Sequence, residues 1–217
     1  MQLDHPPRPL VRILVVDDHQ MFADSLIRLL DDEADFFVTG TARTIAEAVN
    51  AVRSQPPDVV VLDYRLPDGD GGTAVRQLRV LCPEAHFVMI TGAADQATLA
   101  AALAAGSDGL VTKDLAAHEL VATVRAAAEG RAFVPDALAQ RLLPIHPPEG
   151  VATDLTARER QILRLIVEGC SNAVIADRLA VSINTVRNHV QNVLGKLGAH
   201  SKLEAAAIAV RLGVVPE

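Results

Sequence analysis

Tryptophan is absent from this chain, tyrosine occurs once (Tyr64), and aromatic residues make up only 3% of it. Half of the residues are hydrophobic, so any core has to be built from aliphatic side chains and alanine. Cysteine is nearly missing too. Cys82 and Cys170 stand apart with no metal-ligand spacing around either, a pattern that fits a reducing compartment rather than a disulfide-stapled secreted domain. No apolar run approaches the roughly 18 residues of a membrane span. The opening Met1-Gln2-Leu3-Asp4-His5-Pro6 lacks the basic-then-apolar order of a signal peptide. These absences predict a soluble cytoplasmic protein with no membrane partner.

Basic residues are also scarce, and unevenly so. Residues 1–152 hold 12 Lys and Arg against 21 Asp and Glu, a net charge of −9, whereas residues 153–217 hold 8 against 6, a net charge of +2. At 217 residues the chain is long enough for two domains, and the charge split suggests an acidic body with a mildly basic tail. A basic tail is a weak pointer to nucleic acid, because ordinary surface variation produces the same asymmetry.

The first 130 residues alternate between two kinds of pattern. Strand-like apolar runs fall near Ile13–Val16, Phe36–Thr39, Val59–Leu62, Phe87–Ile90 and Gly109–Val111. Helical periodicity occupies roughly 20–30, 44–54, 71–81, 95–105 and 115–128 between and after them. Five β–α repeats predict an α/β fold with a doubly wound, five-stranded parallel sheet. Residues 132–152 then carry Pro135, Pro144, Pro147, Pro148 and Gly150, which breaks any long helix. The expected division is a tail over 1–10, an α/β domain over 11–130, a linker over 131–153 with a short helical piece near 135–143, and a smaller all-α domain over 154–217.

Chemistry concentrates at the strand ends. Val59-Val60-Val61-Leu62 delivers Asp63 to the mouth of a buried strand, and Ile13-Leu14-Val15-Val16 does the same for Asp17 and Asp18. In open parallel sheets that edge is where ligands bind. Three neighbouring carboxylates repel one another and call for a counter-charge. They suit a hard cation such as Mg²⁺, which takes oxygen ligands and keeps several waters. An Asp beside such an ion can attack phosphorus and form an acyl phosphate. Two further strands end in Thr91 and Lys113, a hydroxyl and an ammonium suited to phosphoryl oxygens. Each residue alone has a plainer reading. Asp17 or Asp18 can cap the following helix, Thr91 can close a turn, and Lys113 can be a solvated charge. The conjunction points to a phosphoryl site.

The segment around these residues resembles a response-regulator receiver domain over about residues 11–128. The matching residues are Val15-Val16-Asp17-Asp18, Leu62-Asp63-Tyr64-Arg65-Leu66-Pro67-Asp68-Gly69, Thr91 and Lys113. The resemblance implies a flavodoxin-like sheet with Asp63 as phosphoacceptor. It also implies Mg²⁺ held by Asp17, Asp18, Asp63 and the main-chain carbonyl of Arg65, with Thr91 and Lys113 binding the phosphoryl group. Leu110 stands where many receivers carry an aromatic switch residue, and a leucine offers neither ring rotation nor a hydroxyl. Asp114 follows the Lys where many receivers have Pro, as is common in the NarL/FixJ subfamily. The haloacid-dehalogenase type of phosphatase also uses a strand-end Asp, but it needs a second Asp two residues on as general acid. Arg65 occupies that position, so a classical enzyme is not expected.

Beyond residue 154 the pattern is all-helical. Thr156-Ala157-Arg158-Glu159 is a capping-box match ahead of Gln161–Glu168. Ala173–Leu179, the break at Ala180–Ser182, Ile183–Leu197 and a last helix over Leu203–Leu212 follow, with helix-turn-helix spacing. Ile175, Ala176, Leu179, Val186, Val190, Val193 and Leu197 share an inward face, which leaves Asn184, Arg187, Asn188, Gln191 and Asn192 outward. A small bundle with a solvated polar face gives the same periodicity. The motifs Leu155-Thr156-x-Arg158-Glu159, Glu168-Gly169-x-Ser171-Asn172 and Ser182-x-x-Thr185-Val186-Arg187-x-His189 resemble a LuxR-type DNA-binding domain. That resemblance implies base contacts from Arg187, Asn188 and Gln191, and backbone contacts from Asn172, Thr185, His189 and Lys196. Its departures include Ala173 and Arg187, where the family often has Lys, and Leu203 in place of a common Thr. The expected protein is a two-component response regulator of the NarL/FixJ type. The resemblance implies a sensor histidine kinase, double-stranded DNA, RNA polymerase and a second copy in an active homodimer as partners. A receiver that works without phosphorylation is the alternative that Leu110 keeps open.

Overall fold

The computed structural model describes residues 10–92, 96–114, 117–133 and 155–211. Of the expected linker only residues 131–133 are among the described residues, and the short helical piece near 135–143 lies outside them. Alternation is the rule in the first part: β1 (Val11–Val16), α1 (Gln20–Asp31), β2 (Phe36–Ala42), α2 (Ile45–Ser54), β3 (Val59–Asp63), α3 (Gly71–Leu81), β6 (His86–Thr91), α4 (Gln96–Ala104), β7 (Gly109–Thr112) and α5 (Ala117–Ala128). A short antiparallel pair, β4 (Arg65–Leu66) and β5 (Gly69–Asp70), intervenes directly after Asp63. The five main strands form one parallel sheet in the order β2-β1-β3-β6-β7. This is the flavodoxin-like winding, in which the order reverses beside the first strand and opens a crevice there.

Strand parity sorts the core into two layers. Leu14, Val16, Val60, Leu62, Phe87, Met89 and Leu110 pack with residues of α2, α3 and α4. Ile13, Val15, Val59, Val61, Val88, Ile90 and Val111 pack with α1 and α5. Both faces are covered, which is why these strands read as continuous apolar runs rather than as alternating ones. β2 runs further than its apolar run suggests. Its register against β1 shifts between Ile13 and Leu14, where Gly40 follows Thr39 and the Thr39 hydroxyl donates to the Ile13 carbonyl at 3.1 Å.

The second part is helical: α6 (Ala157–Val167), α7 (Asn172–Arg178), α8 (Ile183–Leu197) and α9 (Lys202–Arg211). The capping box is formed in both directions. Glu159 N–H donates to the Thr156 hydroxyl and the Thr156 N–H to the Glu159 carboxylate. Ser171 caps α7, Ser182 caps α8, and Gly198 ends α8 in the left-handed region at φ 63°. The turn between α7 and α8 holds Ala180 at φ 51°, a conformation that costs an L-residue about 1–2 kcal/mol. The inward face expected from periodicity is the one observed, with Ile175, Val186, Val190, Val193 and Leu197 buried in one cluster. Among the described residues no helix is long and apolar enough to cross a membrane.

Candidate functional site

The parallel topology brings the ends of β1, β3, β6 and β7 to one edge, and with them Asp17, Asp18, Asp63, Thr91 and Lys113. Parity does the rest. Asp17, Asp63 and Lys113 each follow by two residues a member of the α1/α5 layer, Val15, Val61 and Val111, so the three side chains share that face. The Lys113 ammonium donates to Asp63 Oδ2 at 2.6 Å and to Asp17 Oδ2 at 2.7 Å. This is the counter-charge that the carboxylates require. The Phe22 ring of α1 lies over the same ammonium, 4.6 Å from its centroid. Asp17, Asp63 and Thr91 are buried, while Asp18 is about a third exposed.

Burial pushes the Asp63 carboxyl above its ordinary pKa, against the hydrogen bonds from Lys113 and from the Arg65 N–H at 3.2 Å; the Asp17 charge adds to the rise. Burial presses Lys113 the other way, but its hydrogen bonds to Asp17 and Asp63 prevail and hold it above the ordinary lysine value. Main-chain pairing ties the strand ends together. Tyr64 N–H donates to the Ile90 carbonyl at 2.8 Å and Lys113 N–H to the Thr91 carbonyl at 2.9 Å. Leu110 is fully buried in the layer packed with α2, α3 and α4.

Neither acid of the Asp17-Asp18 pair caps α1. The N-cap is His19, and Asp17 accepts the His19 main-chain N–H at 2.8 Å. Reading the strand ends alone overlooked His19, although it adjoins the acid pair in sequence. Its ring nitrogen joins one oxygen each of Asp17, Asp18 and Asp63 in a group of donor atoms within 4.8 Å of one another. Asp18 Oδ1 is buried and receives no hydrogen bond. A buried carboxylate oxygen that accepts no hydrogen bond, among two more carboxylates, fits a hard divalent cation.

The second candidate surface is α8. Asn184, Arg187, Asn188, Gln191 and Asn192 are all exposed, Thr185 and His189 are half-buried, and Lys196 pairs with Glu159 at 2.7 Å. Asn172 Oδ1 is buried without a hydrogen bond. In this arrangement α8 is turned toward the sheet domain. A cleft of about 350 Å³ separates them, with Arg187 and Gln191 on one wall and His86 and Asp108 on the other. Arg187 approaches the Glu84 carboxylate at 3.6 Å. The turn into α9 closes the contact. Lys202 donates to the Gly130 carbonyl at 2.7 Å, and Leu203 is buried in the α2/α3/α4 layer of the first domain. Gly106, at φ 86°, faces the His200 carbonyl so closely that a Cβ there would lie 3.3 Å from it. His86, Gly106, Asp108 and Gly130 lie at the edge where β6 and β7 begin, the opposite edge from Asp63.

Residues 13–125 match the response regulator receiver domain family, and residues 153–209 match the luxR family of bacterial regulatory proteins. The chain is 34% identical over 207 residues to the DNA-binding transcriptional activator DevR/DosR of Mycobacterium tuberculosis, covering 94% of this chain and 95% of that one. It is 33% identical over 217 residues to the probable transcriptional regulatory protein NarL of the same species, covering 96% and 98%. Among solved structures it is similar to the RcsB response regulator of Salmonella typhimurium (TM-score 0.60, 25% identity, 88% of this chain and 93% of that one). It is also similar to the response regulator ChrA of a heme-sensing two-component system (TM-score 0.54, 29% identity, 94% and 98%). The chain therefore belongs to the NarL/FixJ-type response regulators, transcriptional regulators in which a receiver domain is joined to a LuxR-type DNA-binding domain.

Proposed function

We propose that Asp63 is the phosphoacceptor of this regulator and that its phosphorylation, by a sensor histidine kinase or a small phosphodonor, controls sequence-specific DNA binding by α8. The observation that carries the reading is the buried Asp63 carboxylate, held at 2.6 Å by a lysine from another strand end. One Asp63 oxygen attacks phosphorus as the bond to the donor's leaving group breaks, and the self-phosphorylation and self-dephosphorylation at this residue are its only chemistry. Asp17, Asp18, Asp63 and the Arg65 carbonyl would hold Mg²⁺, which neutralises phosphoryl oxygens when bound. The Lys113 ammonium moves from the carboxylates to the new phosphoryl oxygens, and the Thr91 hydroxyl donates to another.

Arg187, Asn188 and Gln191 have the side chains that read bases bidentately in the major groove, and they stand exposed on one helix. Asn172, Thr185, His189 and Lys196 are proposed to contact the DNA backbone. A homodimer would place two such helices on paired half-sites, in the cytoplasm and within reach of RNA polymerase. The receiver is taken to span 11–130, the connection 131–153 and the DNA-binding domain 154–217.

Asp63→Asn tests the assignment. The substitution is nearly isosteric, and an amide cannot form an acyl phosphate. With Mg²⁺ and a small phosphodonor, intact-mass analysis is expected to show one added phosphoryl group on the wild type and none on the variant. Undiminished incorporation in the variant overturns the assignment.

A further inference from the structure

Of the 20 basic residues in the chain only three are lysines: Lys113, Lys196 and Lys202. Lys113 serves the strand-end carboxylates, and Lys196 pairs with Glu159 at 2.7 Å. Lys202, the first residue of α9, faces the receiver instead. Its ammonium donates to the Gly130 carbonyl at 2.7 Å, just past the end of α5. Among the described residues no carboxylate forms an ion pair with it.

The neighbouring acids are already matched. On the receiver side Asp108 accepts the Phe87 N–H at 2.9 Å and lies 3.5 Å from Arg79 and 3.6 Å from His86. Glu129 pairs with Arg131 at 2.8 Å, and Glu84 meets Arg187 of α8 at 3.6 Å. On the DNA-binding side Glu168 pairs with Arg178 at 2.7 Å and Glu204 with His200 at 3.1 Å. Cys170, whose thiol burial pushes up, is the other titratable neighbour there. The residues beside Lys202 hold it in this company. Leu203 is buried in the receiver layer, and the His200 carbonyl lies against Gly106.

An ammonium buried against a single carbonyl is unfavourable, whereas a neutral amine keeps the same N–H bond at less cost. Burial holds Lys202 down at a pKa of about 8, against the ordinary 10.5, although the Asp108 charge favours the cation. An arginine could not respond in this way, because its guanidinium stays charged. We propose that the seat between the domains takes Lys202 as its neutral amine, so that docking releases a proton and the seated arrangement tightens as the pH rises. Undocked, the side chain keeps its proton up to its ordinary value of 10.5; docked, it loses it from about pH 8. The penalty on docking is therefore complete below the lower value. Between the two values docking strengthens by up to about tenfold per pH unit. Nothing in this device depends on Asp63 being the phosphoacceptor.

Three lysines give three signals when the unphosphorylated full chain carries carbon-13 at the lysine ε position, and Lys202→Arg identifies one of them. Titration from pH 7.5 upward leaves behind the histidines, ordinarily centred at about 6.5. The Lys202 signal is expected to titrate at about pH 8. In Leu203→Ser, which loosens the seat, it should return toward the ordinary lysine value. An ordinary value in the wild type overturns the proposal. So does a low value that Leu203→Ser leaves unmoved, because the shift then belongs to the DNA-binding domain alone. Operator binding by the unphosphorylated chain gives a second readout, by fluorescence anisotropy at fixed salt. It should weaken roughly three- to twentyfold between pH 7.5 and 9.5, as the seated form gains population. Lys202→Met keeps the apolar stem without the charge and should show no such trend; equal profiles in the two proteins overturn the proposal. If neither protein binds an operator, the DNA-binding reading of α8 fails, and the lysine signal still decides the role of Lys202.

Discussion

One ammonium, that of Lys113, serves two buried carboxylates, Asp17 and Asp63, in the strand-end pocket. Burial outweighs the hydrogen bond from Lys113 and holds Asp63 above its ordinary pKa, while the bonds to Asp17 and Asp63 hold Lys113 above its own. A carboxyl with a raised folded pKa contributes stability that is complete below its ordinary value of 3.8 and is lost as the pH rises through the folded value. At neutral pH the metal-free pocket is therefore strained, and Asp63→Asn should leave the metal-free protein at least as stable as the wild type. Lys113→Gln should act in the opposite direction. It strands two buried carboxylates, which in a dry site costs roughly 3–5 kcal/mol. With the ammonium about a fifth exposed, solvent reduces the expected loss to about 1–3 kcal/mol. Urea unfolding with and without Mg²⁺ measures it. The midpoint should fall without the ion and largely recover with it, because the cation replaces the missing charge. An unchanged midpoint would mean that Lys113 is not the counter-charge. The need for such a group was legible in the sequence, since three strand-end carboxylates cannot stand unneutralised. Lys113 was the strand-end ammonium on offer, and topology with parity brings it onto Asp17 and Asp63 together. His19 was legible in principle, as an imidazole where a capping residue belongs, but nothing in strand periodicity points to a residue beyond the strand.

Helices and strands long enough to show a period were readable, and those too short were not. The β4–β5 pair has two residues on each side and leaves no alternation to detect, although its turn residues Pro67, Asp68 and Gly69 mark a reversal. Asp68 turns out to accept the first free N–H groups of α2, from Ile45 at 2.8 Å and Ala46 at 3.0 Å. This ties the loop after Asp63 to a neighbouring helix by a contact 22 or 23 residues away in sequence. In the DNA-binding domain the capping box was readable from four residues, but its third partner was not. Lys196, near the end of α8, donates to the same Glu159 carboxylate that caps α6. Lys196 and the Thr156 N–H together hold the Glu159 pKa at about 2. A depressed carboxyl pKa contributes stability that is present above the ordinary value of 4.5 and is lost as the pH falls through the folded value. Acid should therefore loosen the α6–α8 contact between about pH 4.5 and pH 2. Glu159→Gln should flatten that part of the acid-unfolding curve, read by circular dichroism of the full chain. A wild-type slope in the variant would assign the acid sensitivity to other groups.

The two halves of the molecule meet at the edge of the sheet opposite Asp63, a contact that no periodicity could announce. Leu203 read as a departure from a common Thr in the last helix, and its burial in the receiver's layer shows only when both domains are folded together. The acidic body and the basic tail carry opposite net charge, and Arg187 beside Glu84 is one place where the two approach. β6 and β7 run between the two sites, since Thr91 closes β6 and Lys113 follows β7, while His86 and Asp108 at their other ends line the cleft with Lys202 and His200. Leu110 lies on that route as a packed aliphatic residue, not as a ring with two positions. The expected consequence is a small population shift on phosphorylation and measurable DNA binding without it. Loosening the seat should raise that basal binding. Glu84→Arg is suited to the purpose, since Glu84 is mostly exposed and its reversal repels Arg187 without touching a core. An exposed pair is worth about 0–1 kcal/mol, so the gain in operator affinity of the unphosphorylated protein should be no more than roughly fivefold. Phosphorylation should then add less to the variant than to the wild type, as measured by fluorescence anisotropy on one operator at fixed salt. An unchanged basal affinity, with a full response to phosphate, would show that the receiver does not restrain α8. Phosphorylation would then have to act through dimer formation alone.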